Sequence, residues 1–327
     1  MAGKTAIIGA GLAGLSCAQT LKNARLPVEI FERTASIGGR IATMRVNSLT
    51  FDHGAQYVSA RTPQFSELLT DLTGLGCAAG WSPRVEQGET QSNGAPESSP
   101  WIVGTPGMAS LLRPLAEGMR ITTGRRVRQL ERRGKDWHLW FDDESSAGPF
   151  QAVAVTVPAN ETARLLVHVP VLSDALASVR MEPCWTLMIA TQNHVMPPID
   201  VMHNVSKSIR WLTRDNTKPG RNPRGDAMVI LGSAQWNEGA RHLDPQAAAE
   251  ELWADACDAL SLAPLRPSHM IAHLWRDGLT TSALGQSHLF AKDQNAGVAG
   301  DWCRGATAED AFESGTSLGR AMVAALT

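Results

Sequence analysis

The apolar positions of the chain change period in blocks, and each block predicts an element. Over the first 33 residues an apolar strand, Ala6-Ile7-Ile8, runs into a glycine turn, a helix and a second apolar run, Val28 to Phe31, which together form one β-α-β unit. Phe65, Leu68, Leu69 and Leu72 then recur at helical spacing. Residues 86–100 combine Gly, Pro, Ser and Asn with almost no apolar content and predict an exposed loop or a domain crossing. From Met119 to Asp142 short β-like runs, broken at Thr123-Gly124 and Arg133-Gly134-Lys135, predict an antiparallel meander. Phe150 to Val157 reads as a buried strand ended by Pro158, and Cys184 to Ala234 as a mixed β region. Helical Pro245 to Leu260 and strand-like Met270 to Trp275 follow, and the chain closes with a short strand, Gly297 to Ala299, and a helix from Glu309 to Ala325. No internal repeat is visible.

Composition adds size and excludes some partners. At 327 residues, 43% hydrophobic and 19% charged, the chain can bury the cores of two domains. A net charge of −2 supplies no field for nucleic acid or acidic lipid. Six arginines crowd 120–133, but they fall at odd and even positions, so a strand sends them to both faces rather than into one patch. No apolar stretch approaches the roughly 20 residues that cross a bilayer. The strand pattern begins at once, without the basic and apolar succession of a secretion signal, so a cytoplasmic protein with no membrane partner is expected. Cys17, Cys77, Cys184, Cys257 and Cys303 are widely spaced and contain no C-x-x-C pair, which predicts reduced thiols and no zinc site.

The chemistry starts at Gly9-Ala10-Gly11-Leu12-Ala13-Gly14, which follows a strand and opens a helix, the context in which G-x-G-x-x-G marks a dinucleotide site. These glycines permit a tight turn, let backbone approach a pyrophosphate and pack helix on strand, while the helix N-terminus offers N–H groups and positive dipole. Glu32 ends the second strand, 18 residues beyond Gly14, where a carboxylate accepts hydrogen bonds from ribose hydroxyls. Gly38-Gly39-Arg40 adds a flexible backbone and a guanidinium suited to a pyrophosphate. Gly300-Asp301-Trp302 lies between a short strand and a helix whose dipole suits negative charge on a reduced flavin. Those two additions favour FAD over NAD.

The fingerprint with Glu32 and Gly39-Arg40, the segment Asp52-His53-Gly54-Ala55-Gln56-Tyr57 and the terminal Gly300-Asp301-Trp302 with Ala311 and Ser314-Gly315 resemble the flavin-containing amine oxidase superfamily. Gly104-Thr105-Pro106-Gly107-Met108, Trp211 with Lys218-Pro219, and Gln235-Trp236 extend the resemblance end to end and direct it to the renalase-like branch. That resemblance implies an α/β fold. A discontinuous Rossmann-like FAD domain with a parallel sheet would span 1–58, 98–163 and 292–327, and a substrate domain with an antiparallel mixed sheet and helices would span 59–97 and 164–291. It further implies cofactor contacts from Gly9, Gly11, Leu12, Ala13 and Gly14, from Arg33, Gly39, Gln56 and Gly300, and from five residues with distinct tasks. Glu32 would hold the adenosine ribose, Arg40 the pyrophosphate, Val127 the adenine through its backbone, Asp301 the ribityl-phosphate region, and Ala311 would sit under the pyrimidine edge. The implied activity is an oxidase that takes hydride from a dihydronicotinamide isomer of NAD(P)H and passes the electrons to molecular oxygen, giving hydrogen peroxide. An amine oxidase and a flavin-binding protein without turnover are the alternatives. The branch tends to carry H-R-W-x-Y-A where this chain has His273-Leu274-Trp275-Arg276-Asp277-Gly278, a loss of two polar groups that bears on substrate choice.

For the small-molecule substrate, Tyr57, Trp185, Trp211, His273 and Trp275 are the pocket candidates, with Trp236 and Trp302 as further flat walls. Tyr57 serves equally as a boundary hydroxyl, whereas for any single tryptophan core packing is the commoner role. His269 and His273 have a metal-like spacing, yet on a strand they lie about 13 Å apart, so no metal is expected. No G-x-S-x-G elbow suggests a hydrolase. No cysteine lies between Cys257 and Cys303, which predicts noncovalent FAD, and the oligomeric state is left open.

Overall fold

The structure, a computed structural model, describes residues 3–88, 100–263 and 265–327. Most of the predicted 86–100 loop lies outside the described residues. The chain divides into two compact units, one of Met1–Arg40, Leu112–Met181 and Thr280–Thr327, the other of Ile41–Leu111 and Glu182–Leu279.

The first unit is built on a six-stranded sheet, in the order Leu289–Ala291, Ala296–Val298, Ala152–Val155, Thr5–Ile8, Val28–Phe31 and Ile121–Thr122. All neighbours are parallel except the first pair. Thr5–Ile8 and Ala152–Val155 are buried at every position, as central strands covered on both faces must be, which is why they read as unbroken apolar runs. The helices Leu12–Asn23 and Ala308–Leu326 pack through small residues: a Cβ at Gly315 would stand 2.0 Å from the Ala13 carbonyl oxygen, and one at Gly319 2.6 Å from Thr20 Cβ. A capping box starts the C-terminal helix, with Asp310 N–H donating to Thr307 Oγ1 (3.2 Å) and Thr307 N–H to Asp310 Oδ2 (3.0 Å).

The meander expected over 119–142 is corrected at its start. Ile121–Thr122 joins the parallel sheet beside Val28–Phe31, because Ile30 and Glu32 donate N–H bonds of 2.9 Å to the Arg120 and Thr122 carbonyls. Only after the left-handed turn at Gly124 does the chain form an antiparallel sheet, Val127–Arg133, Asp136–Phe141 and Ser146–Phe150. Its arginines pair separately, Arg133 with Glu131 and Arg125 with Asp143, so they form no basic stripe.

The second unit carries a six-stranded sheet, in the order His269–Ser282, Arg180–Thr191, Asp226–Gly232, Ile209–Arg214, Val201–His203 and Val85–Gln87. Strand period two gives it two distinct faces. Trp185, Leu187, Ile189, Leu212, Met228 and Ile230 form one core with Ala248, Leu252 and Ala256 of the helix Pro245–Ala259. Cys184, Met188, Ala190, Ala227, Val229 and Leu231 point the other way, where Phe51, Trp211 and Trp275 join them. Among the described residues no helix is long and apolar enough to cross a membrane.

The expected domain limits shift in detail. Residues 41–58 and 100–111 group with the second unit, where Asp52 is tied to Lys218 and Arg221. Residues 164–181 and 280–291 group with the first, since Leu166, Val169, Leu172 and Leu176 share a core with Val153 and Phe150.

Candidate functional site

In the first unit, backbone forms the cradle. Gly9 takes a φ of 104°, which a side chain rarely tolerates, and a Cβ at Gly14 would lie 2.0 Å from the Gly9 carbonyl oxygen. Above Gly11 the space is open, since an added Cβ meets only the Gly38 carbonyl oxygen at 4.0 Å. Gly39, with φ of 54°, faces Gly11 from the other side, its built Cβ 3.6 Å from Gly11 Cα. The helix beginning at Leu12 has no side-chain cap, so its first N–H groups and its dipole are available to an anion. Such a side-chain-free gap at a helix N-terminus fits the pyrophosphate of a dinucleotide.

Glu32 buttresses this turn. Its Oε2 accepts from Ala10 N–H (2.9 Å), and Oε1 accepts from Thr34 N–H (2.9 Å) and Thr34 Oγ1 (2.7 Å). Oε2 keeps a lone pair for a ribose hydroxyl. Arg33, half exposed, donates to Glu161 at 3.1 Å. Arg40 and Asp301, expected at different parts of the cofactor, are partners: the guanidinium grips Asp301 through two bonds of 2.9 and 2.5 Å, and Thr280 Oγ1 donates to the same carboxylate at 2.9 Å. Gly300 N–H donates to Ser314 Oγ of the C-terminal helix (3.0 Å), which ties the Gly300-Asp301 turn to that helix. Val127 is buried opposite Phe141, and Ala311 lies in the first turn of the C-terminal helix. Gln56 belongs to the second unit. Its side-chain amide donates to the Asp52 and Gly54 carbonyls and accepts from Lys218 Nζ at 3.4 Å, all within the second unit.

Side chains make the second unit's candidate site. Tyr57 stacks face to face on Trp101, centroids 3.9 Å apart and planes 3° off parallel. Trp211 lies 5.9 Å from Tyr57 and 5.8 Å from Trp101, with His203 edge-on to it at 4.3 Å. A second ring group joins His53 to Trp275 (5.3 Å, stacked) and sets His273 edge-on to Trp275 (4.5 Å) and to His53 (5.4 Å). Trp275 Nε1–H donates to the His53 carbonyl at 2.7 Å. Burial, then repulsion from His273, pushes His53 down to about 4, and burial lowers His273. Both rings are therefore neutral near pH 7, and His53 Nδ1 is a buried atom without a hydrogen-bond partner among the described residues.

Of the tryptophans proposed as flat walls, Trp211 and Trp275 sit in these ring groups. Trp185 and Trp302 are corrected to core residues. Each is wholly enclosed by apolar neighbours and spends its indole N–H on a backbone carbonyl 3.0 Å away, Ala240 and Val157 respectively. Trp236 packs against the same core as Trp185. His269 stacks on Phe51 instead of meeting His273, and among the described residues no cluster of His, Cys, Asp or Glu is arranged to hold a metal ion.

Sequence reasoning missed the aromatic partners Trp101 and His203 and a buried ionic cluster. Lys218 Nζ stands 2.6 Å from Asp215 Oδ1 and 3.1 Å from Asp52 Oδ2, and Arg221 Nη2 reaches Asp52 Oδ2 at 2.6 Å. Burial acts to raise the Asp52 carboxyl, but Lys218, Arg221, the Met108 amide and the Thr43 hydroxyl outweigh it and hold it below the usual range. Asp215 goes the other way: burial, with the Asp52 charge adding, raises it to about 6 although Lys218 opposes. The one local signal was the Asp215/Lys218 spacing of three.

Known proteins place these features in a family. Residues 7–72 match the NAD(P)-binding Rossmann-like domain, and residues 84–322 match the flavin containing amine oxidoreductases. Protoporphyrinogen oxidase 2, chloroplastic/mitochondrial, of Arabidopsis thaliana is 36% identical over 69 residues, 21% of this chain and 14% of that protein. The L-glutamate oxidase precursor of Streptomyces diastatochromogenes is 43% identical over 82 residues, 22% of this chain and 12% of that protein. The matched segments thus span under a sixth of these relatives' lengths. Among solved structures, a putative protoporphyrinogen oxidase from Exiguobacterium sp. 255-15 shares the fold at a TM-score of 0.79 with 14% identity, covering 99% of both chains. Cyclohexylamine oxidase from Brevibacterium oxydans does so at 0.77 with 12% identity, again over 99% of both. With the family matched over most of its length and the dinucleotide cradle formed, the chain belongs to the flavin-containing amine oxidoreductases.

Proposed function

We propose that the protein is an oxidase with noncovalently held FAD that takes a hydride from a dihydronicotinamide isomer of NAD(P)H, with molecular oxygen as acceptor and hydrogen peroxide as product. The first unit would bind the cofactor, through Gly9, Gly11, Gly14, Glu32, Gly39, Arg40 and Asp301, and the second the substrate. Bound FAD supplies a two-electron acceptor; the remaining tasks fall to side chains.

One observation carries the substrate reading. The ring groups around Tyr57 and His53 present flat apolar faces, while the carboxylates beside that turn, Asp52 and Asp215, are already matched to buried Lys218 and Arg221. Among the described residues, Asp52 and Asp215 leave a protonated amine no unmatched carboxylate at that turn, whereas a neutral planar ring finds stacking surfaces. As hydride leaves, positive charge grows on the nicotinamide ring. Neutral His53 and His273 do not repel it, and aromatic faces attract it. No proton leaves the ring in that step, so no strong base is required. Noncovalent attachment is supported by Cys303, whose thiol burial pushes up to about 12, leaving it unreactive. Oxidation of a neutral amine is the second reading, favoured by the match to the amine oxidoreductase family.

Anaerobic mixing of the yellow protein with dihydronicotinamide isomers, and separately with primary and secondary amines, tests the choice through bleaching of the flavin's visible band. Bleaching by the isomers alone supports the proposal, and bleaching by amines alone replaces it. With neither, the protein binds flavin for another purpose.

A further inference from the structure

The buried charge cluster of the second unit has no part in hydride transfer as written, and stability does not account for it. Removing four charges from water costs about as much as their attraction returns, and apolar side chains of the same volume would serve as well. Its connections are more informative, because several of them reach the two segments that carry the Tyr57–Trp101 stack.

On the Tyr57 side, Asp52 N–H donates to Asp215 Oδ2 at 2.5 Å, Lys218 Nζ reaches both Asp52 and Gln56, and Gln56 folds back onto the Asp52 carbonyl. The turn from Asp52 to Tyr57 is thereby closed on itself and pinned to residues 215–218. On the Trp101 side, the strand Trp101–Gly104 ends where Arg221 Nη1 donates to the Gly104 carbonyl at 2.9 Å. Four residues further, Met108 N–H donates to Asp52 Oδ1 at 2.8 Å. Between the two clamps, Val58 and Ile102 exchange backbone bonds of 2.8 and 2.9 Å, which puts Tyr57 and Trp101 next to each other. Asp52 alone thus touches both clamped segments and both cations.

We propose that Asp52, Asp215, Lys218 and Arg221 form the positioning device of the aromatic site, holding the Tyr57 turn and the Trp101 strand in one register and easing that hold when Asp215 takes up a proton. The inference rests on the reading that these rings receive the substrate. With all four groups ionised the cluster is neutral. A proton on Asp215 leaves it with one excess positive charge and deprives Lys218 of its 2.6 Å partner. The groups that face Asp215 are few. Lys218 and Asp52 touch it, and Arg221 acts through Asp52. The packed strand Leu49–Phe51 brings no titratable side chain, and Asp226 on the strand Asp226–Gly232 is occupied by Arg214 and His194. The rise of Asp215 to about 6 places the proton uptake within reach of ordinary buffers.

The test compares FAD-loaded wild type with Asp215→Asn and Lys218→Arg in two ways. Near-ultraviolet circular dichroism reads the stacked rings without any substrate, and Trp101→Phe identifies the contribution of the stack. Anaerobic stopped flow reads the rate of flavin bleaching at saturating substrate. In the wild type both signals should change with one proton near pH 6, the rate falling about tenfold on the acid side through misplacement of the rings. Asp215→Asn should remove both pH dependences and hold the protein at the acid-side values, while Lys218→Arg, which keeps the charge, should retain most of the rate. If the dichroic change follows Asp215 but dihydronicotinamide isomers do not bleach the flavin, the substrate reading falls and the positioning role stands. If both variants alter only the thermal unfolding midpoint, with wild-type pH dependence of dichroism and rate, the cluster is merely structural and the proposal is overturned.

Discussion

The two units build their sites from different materials. The first uses backbone from a short stretch, Gly9 to Gly14 with Glu32 and Gly38 to Arg40 close behind, and leaves a gap free of side chains. The second uses side chains brought together over long separations, Lys218 to Asp52 across 166 residues and Trp275 to His53 across 222. A backbone site tolerates no added atom where chains touch, whereas a side-chain site tolerates a change that preserves charge and fails on one that does not. Lys218→Met tests the second half most severely. It leaves Asp215 without its cation and Asp52 with Arg221 alone, so denaturant unfolding should show a loss of about 3–5 kcal/mol, and Lys218→Arg much less. Equal losses in the two variants would mean that volume, not charge, is what the cluster needs.

Two glycines test the first half. At Gly14 an alanine methyl would stand 2.0 Å from the Gly9 carbonyl oxygen, and backbone cannot yield as a flexible side chain does. FAD affinity should fall at least about a hundredfold, near 2.7 kcal/mol, with the helix displaced from its strand. At Gly11 the same methyl enters open space, so Gly11→Ala should keep unfolding within about 0.5 kcal/mol of wild type while FAD titration shows roughly tenfold weaker binding. Unchanged binding in Gly11→Ala would show that the gap is not where the pyrophosphate lies.

The same contrast explains what was legible beforehand. Gly9 to Gly14 and Glu32 act on chain within a few tens of residues, so spacing alone exposed the β-α-β unit and its task. Ile121–Thr122 was assigned to a meander because a two-residue strand bears no mark of its partner, which only the bonds of Ile30 and Glu32 supply. Trp185, Trp211, Trp275 and Trp302 look alike in a string of letters. Strand alternation sends Trp185 to the helix-covered face and Trp211 to the other, and that division follows from registry between strands. Trp185→Phe should therefore lower stability by about 2 kcal/mol, through lost volume and the lost bond to Ala240, without weakening substrate binding. Trp211→Phe should do the reverse, weakening substrate binding about tenfold, or 1.4 kcal/mol, with little change in unfolding.

The smallest expected effect is a cancellation, and it bears on whether the second unit's buried groups titrate as its geometry requires. His53, pushed down to about 4, is proton-free in the folded protein where the unfolded chain still holds a proton, so its contribution rises with pH, is complete above 6.5 and is lost as pH falls toward 4. Asp215, raised to about 6, keeps a proton in the folded protein that the unfolded chain has lost above 3.8, so its contribution falls as pH rises through the same window. Each is worth up to about 3 kcal/mol, and the two slopes oppose, so between pH 4 and 6 the wild type keeps only the shallower climb that His273, also lowered by burial, adds. Asp215→Asn should unmask a stability that climbs with pH across this range, and His53→Phe one that declines. A wild-type curve that climbs steeply and does not steepen in Asp215→Asn would mean that Asp215 is ionised throughout, with Lys218 holding its charge more firmly than burial disfavours it.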